Sequence, residues 1–224
     1  MTSLGTSPTT LNDAADVVAL LVLLSEFAML RSSLSRSQVR LYAFQSLCVS
    51  ILAGFVAATR HIVELYGLMG MSFLLKVIVV PLIIVRLVKE IRVDVTASHR
   101  IGVATMVLLA IVLSVFGVFV VGHLPVHSRS LPILPLALAA AVILVSFLLV
   151  IVRNDVVSQA IGFFSLENGV SVASLVLAAG LPLIVELAFL FDLLVAVVVF
   201  GLLMRVHHGR TGTLSTQALD RLRG

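Results

Sequence analysis

The chain has 224 residues, 60% hydrophobic and 12% charged, with a mean hydropathy of +1.21. Soluble domains run nearer half apolar and a quarter charged, so no water-soluble fold of this length hides that much apolar surface, and lipid is the solvent for most of it. The formal charge of +4 and pI near 10 do not mark a nucleic-acid binder, because the basic residues fall between apolar runs rather than in one patch.

The N-terminal stretch Met1–Asp16 lacks the basic start of a cleavable signal, so the first apolar run reads as a retained helix. A spanning helix needs about 20 apolar residues. Seven runs meet that requirement, at 14–30, 41–59, 65–88, 101–122, 132–152, 156–179 and 182–204. Charged or helix-breaking segments separate them, the tightest being Gly180-Leu181-Pro182. With the N-terminus outside, the inner segments hold Arg31, Arg36, Arg40, Arg86, Lys89, Arg92, Arg100, Arg153, Arg205, Arg210, Arg221 and Arg223; the outer ones hold Arg60 and Arg129. That asymmetry predicts seven spans with the N-terminus outside and the C-terminus on the cytoplasmic side.

Two stretches repeat. Ala43-Phe44-Gln45-Ser46-Leu47 matches Gly162-Phe163-Phe164-Ser165-Leu166, and Phe73-Leu74-Leu75-Lys76 matches Phe189-Leu190-Phe191-Asp192. Both fall in the second and third helix of a three-helix unit, so the expected fold is all-α, with spans 1–3 and 5–7 as parallel repeats joined by span 4. The expected organisation is an N-terminal three-helix membrane unit at 1–100, a linking helix and loop at 101–131, a second three-helix unit at 132–206 and a basic tail at 207–224.

Charge at mid-bilayer costs about 2.5–3.5 kcal/mol or more per residue, so it needs a reason. Near the helix ends the reasons are ordinary. Asp13 and Asp16 are expected to cap span 1, Glu26 to snorkel or pair with Arg31, Arg60 to pair with Glu64, and His207 and His208 to lie in a solvated tail. Four residues remain: Lys76, Glu167 and Asp192 near the middle of their spans, and Glu186 nearer an outer end. Glu186 and Asp192 are separated along one helix by about 9 Å, close enough for a water or another side chain to bridge. Burial favours the neutral forms of both carboxyl and amine, which suits reversible proton transfer by Lys76, Glu167, Glu186 and Asp192. The competing reading is a Lys76–carboxylate pair that only holds the bundle together. Pro81 leaves the Val77 carbonyl without its helical donor and predicts a kink in span 3. Gln45, Gln159, Ser165 and Asn168 extend a polar path or make single interhelical bonds.

Redox chemistry within the chain is not expected. Cys48 is the single cysteine and lies in an apolar run, and His61, His99, His123, His127, His207 and His208 all fall at or beyond helix ends. Neither a zinc or iron–sulfur ligand set nor an intramembrane haem pair is legible, so no cofactor, metal or catalytic site is assigned to it.

Residues 150–224 resemble the three-helix K subunit of respiratory complex I. The shared pattern is a basic loop (Arg153-Asn154-Asp155), Ile161-Gly162, a glutamate in the next helix (Glu167), an acid in the last (Asp192) and a short basic tail. That subunit's glutamate directly follows its Ile-Gly-Leu triplet, whereas Phe164 stands there in this chain and Glu167 comes about one turn later. Over most of 35–224 the chain resembles the hydrogenase-4 membrane component E family. It carries Lys76-Val77-Ile78-Val79-Val80-Pro81-Leu82-Ile83 for K-V-x-x-V-P-L-I and Leu166-Glu167-Asn168-Gly169 for L-x-E-N-G, one residue short. His208-Gly209 and Thr213-Leu214 answer to that family's H-G-T-L tail, with an insertion.

The resemblance implies a membrane-arm subunit of a complex I-like assembly with a [NiFe]-hydrogenase or formate hydrogenlyase module. Its partners would be antiporter-like and other membrane subunits, with iron–sulfur and nickel centres on peripheral chains and no nucleic acid. The implied work is to help couple electron transfer to proton or sodium translocation. The rivals are a subunit of a multisubunit cation/proton antiporter and a structural scaffold.

Overall fold

A computed structural model describes residues 8–32, 35–61, 63–90, 101–124, 132–178 and 198–202. They are nearly all helical, as a lipid-embedded chain requires, since hydrocarbon offers nothing to pair with a free backbone N–H or C=O. The helices are α1 (Pro8–Arg31), α2 (Ser35–Arg60), α3 (Val63–Ser72), α4 (Val80–Glu90), α5 (Val103–His123), α6 (Ile133–Val152) and α7 (Val156–Ala178). A π-helical segment, Phe73–Val79, joins α3 to α4 so that the three form one rod. Among the described residues, five helices are long and apolar enough to cross a membrane: Ser35–Thr59, Leu65–Arg86, Val103–His123, Ile133–Val152 and Val156–Leu177. The chain is a membrane protein. The last expected span, 182–204, lies outside the described residues except for its helical stretch 198–202.

α6 is the centre of the bundle, packing on α5, α7 and α1, while α2 packs on α1, α7 and the α3–α4 rod. Small residues let the central helices approach. A Cβ on Gly117 of α5 would stand 3.0 Å from the Ala141 amide of α6, and one on Gly169 of α7 would stand 2.9 Å from Ile143. By contrast, α5 turns Leu108, Val112, Val115, Phe116 and Phe119 outward as an apolar surface.

The buried apolar residues form two separate cores. One gathers Met29, Leu30, Val39, Tyr42, Val80, Ile84, Met106, Leu149, Val157 and Phe164. The other gathers Ala19, Val22, Leu52, Val56, Leu65, Val121, Leu136, Val142, Val172 and Val176. Successive helices pass through the two in opposite order: α1 runs from the second to the first, α2 returns, and the alternation continues through α7. Between the cores lies a layer of buried polar side chains: Glu26, Gln45, Ser46, Lys76, Ser146, Ser165, Glu167 and Asn168.

Two end-of-helix expectations fail. α1 begins at Pro8, so Asp13 and Asp16 lie inside the helix rather than at its cap. Glu26 does not reach toward Arg31; it is 0% exposed and sits in the polar layer. The C-terminal end of α1 is buried because Arg153, also 0% exposed, enters it from the α6–α7 connection. Its Nη2 donates to the carbonyls of Met29 (3.1 Å), Leu30 (2.7 Å) and Ser32 (2.6 Å). These carbonyls lie at the helix C-terminus, where backbone donors run short; among the three, Met29 O also accepts the Ser32 amide at 3.2 Å.

Candidate functional site: a polar layer between two apolar cores

The π-helical segment presents Lys76. Val80 N–H donates to Leu75 O, one residue further back than in an α-helix. In that register the next donor would come from residue 81 to the Lys76 carbonyl, and proline has none to give. In this register Pro81 therefore denies a donor to the Lys76 carbonyl, where α-helical spacing would have denied it to Val77.

Lys76 is 2% exposed, and its Nζ lies 2.5 Å from Glu167 Oε1 on α7. It also donates to Ser171 Oγ at 3.1 Å and to Asn168 Oδ1 at 3.4 Å. Glu167, Asn168 and Ser171 fall on one side of α7 by helical spacing, so a single turn supplies every partner. Ser171 Oγ turns back onto the Glu167 carbonyl at 2.9 Å.

From Asn168 the network continues through amides. Asn168 Nδ2 donates to Gln45 Oε1 at 3.0 Å and to Ser46 Oγ at 2.9 Å. Gln45 Nε2 donates in turn to Glu26 Oε2 at 3.0 Å and to Val22 O at 3.2 Å. Ser165 Oγ bonds to Gln45 Oε1 at 2.8 Å and makes a close contact with Glu26 Oε2. Four elements thus contribute to one continuous hydrogen-bonded set, from Lys76 and Glu167 at one end to Glu26 at the other. The two amides are aligned head to tail, each NH2 toward Glu26 and each C=O toward Lys76.

Of the four ionisable residues expected to move protons, Lys76 and Glu167 are brought together, while Glu186 and Asp192 lie outside the described residues. Gln45, Ser165 and Asn168 join the set, but Gln159 does not: its Nε2 donates to the Arg153 carbonyl at 2.9 Å, at the end of α6. Glu26 is the member that the sequence pattern does not single out. The signal was its place well inside the apolar run 14–30, but nearby Arg31 offers an ordinary partner at the helix end. No group of His, Cys, Asp and Glu able to hold a metal occurs among the described residues. Chemically, the arrangement offers two carboxyls, one amine and hydroxyls in a buried interior, which are groups that bind, hold and release protons.

The chain is 29% identical over 185 residues to hydrogenase-4 component E of Escherichia coli K12, covering 82% of this chain and 85% of that protein. Hydrogenase-4 component E of Shigella flexneri matches to the same extent. An uncharacterized protein of Mycobacterium tuberculosis is 43% identical over 86 residues, 38% of this chain, and the match spans 37% of that protein's length. No family model matches, and no solved structure matches.

Proposed function

From the premise that this chain is a homologue of hydrogenase-4 component E, we propose that it is a membrane-arm subunit of a complex I-like hydrogenase or formate hydrogenlyase-type assembly, where it helps couple electron transfer to proton or sodium translocation. The observation that carries the reading is the Lys76–Glu167 pair and its continuation to Glu26, a set of ionisable groups buried at mid-height between two apolar cores. Scaffolding alone would be served at lower cost by apolar packing, because two charges lose their hydration on burial. Glu186 and Asp192 would extend the path along the seventh span.

The same reading has seven spans, the N-terminus outside and the C-terminus in the cytoplasm. It takes spans 1–3 and 5–7 as parallel repeats. In support, α1 packs on α6 and α2 on α7, so that equivalent helices of the two units meet. The neighbours would be antiporter-like membrane subunits, with hydrogenase-type iron–sulfur and nickel chains at the periphery.

The test begins with purification in mild detergent, where nickel, iron and antiporter-like chains should travel with this one. Reconstituted in vesicles, the assembly should acidify or alkalinise the lumen during turnover, and E167Q should reduce that while leaving assembly intact. Recovery of the chain without metal-bearing partners would overturn the assignment to such a complex. Unchanged ion movement in E167Q would favour the one rival with support in the geometry, a Lys76–Glu167 pair that only fastens the π-helical segment to α7.

A further inference from the structure

Glu26 has no counter-charge among the described residues. It is fully buried, and the groups that face it are neutral: Gln45 from α2, Ser165 from α7 and, across from it on α6, Ser146. Its Oε1 has no partner among the described residues. Tyr42 lies one step away, beside Glu167 and Ser46. The undescribed stretch 179–197 contains no lysine, arginine or histidine, so the seventh span brings no base. The cation of the layer, Lys76, is engaged directly by Glu167.

Charge balance then limits what the three groups hold. With Lys76, Glu167 and Glu26 all ionised, the layer carries a net negative charge inside hydrocarbon, a costly arrangement for any buried cluster. One proton on either carboxyl makes it neutral. In the arrangement described, Glu167 sits against the ammonium, so the proton belongs to Glu26. Ser165 Oγ, in contact with Glu26 Oε2, also lies within hydrogen-bond reach of Gln45 Oε1, so the surroundings of Glu26 are hydroxyl and amide rather than charge.

The amide chain is equally suited to the opposite arrangement. Lys76 Nζ to Asn168 Oδ1, Asn168 Nδ2 to Gln45 Oε1, and Gln45 Nε2 to Glu26 Oε2 form a row of dipoles with its positive ends toward Glu26. Such a row stabilises a carboxylate at that end. Lys76 therefore has two acids within its influence, Glu167 by contact and Glu26 through two amides.

We propose that Glu26 and Glu167 share one proton across Lys76. In one state the proton is on Glu26 and Lys76 pairs with Glu167. In the other it is on Glu167, and the charge of Lys76 is directed through Asn168 and Gln45 to an ionised Glu26. A proton lost from a Glu26 oxygen is matched by one gained at a Glu167 oxygen; Lys76 keeps its proton, no electron moves, and the net charge of the three stays zero. Side-chain amides transmit the electrostatic change without carrying the proton. This deepens the reading of the layer as a proton-handling site and rests on it.

The test is infrared difference spectroscopy of the full chain in lipid nanodiscs at neutral pH, which reads protonated carboxyls without requiring transport. The wild type should show a buried protonated-carboxyl band that E26Q removes. E167Q should remove the same band although Glu26 is still present, because a permanently neutral residue 167 leaves Lys76 to hold Glu26 ionised. A band that survives E26Q, or that persists in E167Q, overturns the shared proton. The comparison of E167Q with wild type stands even if E26Q fails to accumulate. Should the assembled complex move no ions while both spectra behave as stated, the functional reading falls and the shared proton remains. Ion movement with a band indifferent to E26Q has the reverse meaning.

Discussion

Lys76 Nζ and Glu167 Oε1 stand 2.5 Å apart in the middle of the bundle, bridging a π-helical turn and the polar side of α7. Each is the other's direct counter-charge, so removing either breaks a contact ion pair in an apolar surround.

K76M should destabilise the protein by about 3–5 kcal/mol and E167L by less, because Glu26 can still supply Lys76 with a counter-charge; the double substitution should recover most of the K76M loss. Denaturant unfolding in detergent micelles, run as a double-mutant cycle, gives the coupling energy. Additive losses would mean that the two charges do not depend on each other.

Arg153 fastens the end of α1 by three carbonyl contacts from one guanidinium nitrogen. Charged hydrogen bonds contribute about 1.5–3 kcal/mol each when net values are measured, and a leucine replaces none of them. R153L should raise amide hydrogen exchange across the last turn of α1 and the first of α2, while the first turns of α1 keep their protection. R153K should restore part of it, since an ammonium has three donors but lacks the planar fork.

Asp155 caps α7: its Oδ1 accepts the Ser158 amide at 2.7 Å. D155A should cost about 0.5–2 kcal/mol, and D155N, which keeps an acceptor in place, much less. Burial pushes this carboxyl up from its ordinary value, against the opposing pull of the Ser158 bonds and of Arg153. The folded protein thus takes up a proton there more readily than the unfolded chain. Its contribution to stability rises as pH falls toward the ordinary carboxylate range and is lost as pH rises through the folded-state value. Comparing wild type with D155N across mildly acidic pH isolates that slope.

Gly117 lies against the α6 backbone, where an added Cβ meets the Ala141 amide at 3.0 Å and the Ala140 carbonyl carbon at 3.2 Å. Backbone cannot swing aside as a side-chain tip can. G117V should therefore cost about 1–3 kcal/mol and separate α5 from α6, as read by loss of a disulfide engineered across that pair. Gly122, with nothing near its Cβ position, is the control: G122A should be silent.

Lys76 and Glu167 were legible in the sequence because a charge within a long apolar run has no bland explanation. The helices were legible for a related reason, since periodicity hardly matters when every face is apolar, and run length with flanking charge marks the ends. Glu26 was not legible. Arg31 close by supplied an ordinary partner, and only the burial of Arg153 at the C-terminal end of α1 shows that this end is sealed rather than solvated. Gln159 takes the second of the two roles open to it, a single bond: its place in the first turn of α7 puts it beside the Arg153 carbonyl rather than in the polar layer. That Pro81 withholds its donor from Lys76 follows from π-helical spacing, which no residue pattern in 73–79 announces.

The polar layer also bears on how the protein is made. Glu26, Gln45 and Lys76 emerge from the ribosome early, and although Gln45 reaches Glu26 from α2, the counter-charge of Lys76 and its other partners come from α7, with 92 residues separating Lys76 from Asn168. Until α7 is in place, the early helices hold an acid and a base with no opposite charge in direct contact. Insertion of the early helices therefore calls for a holding step, in which the translocation machinery or a neighbouring subunit shelters them. A chain truncated before α7 should be an immature substrate for membrane proteases rather than a smaller stable bundle.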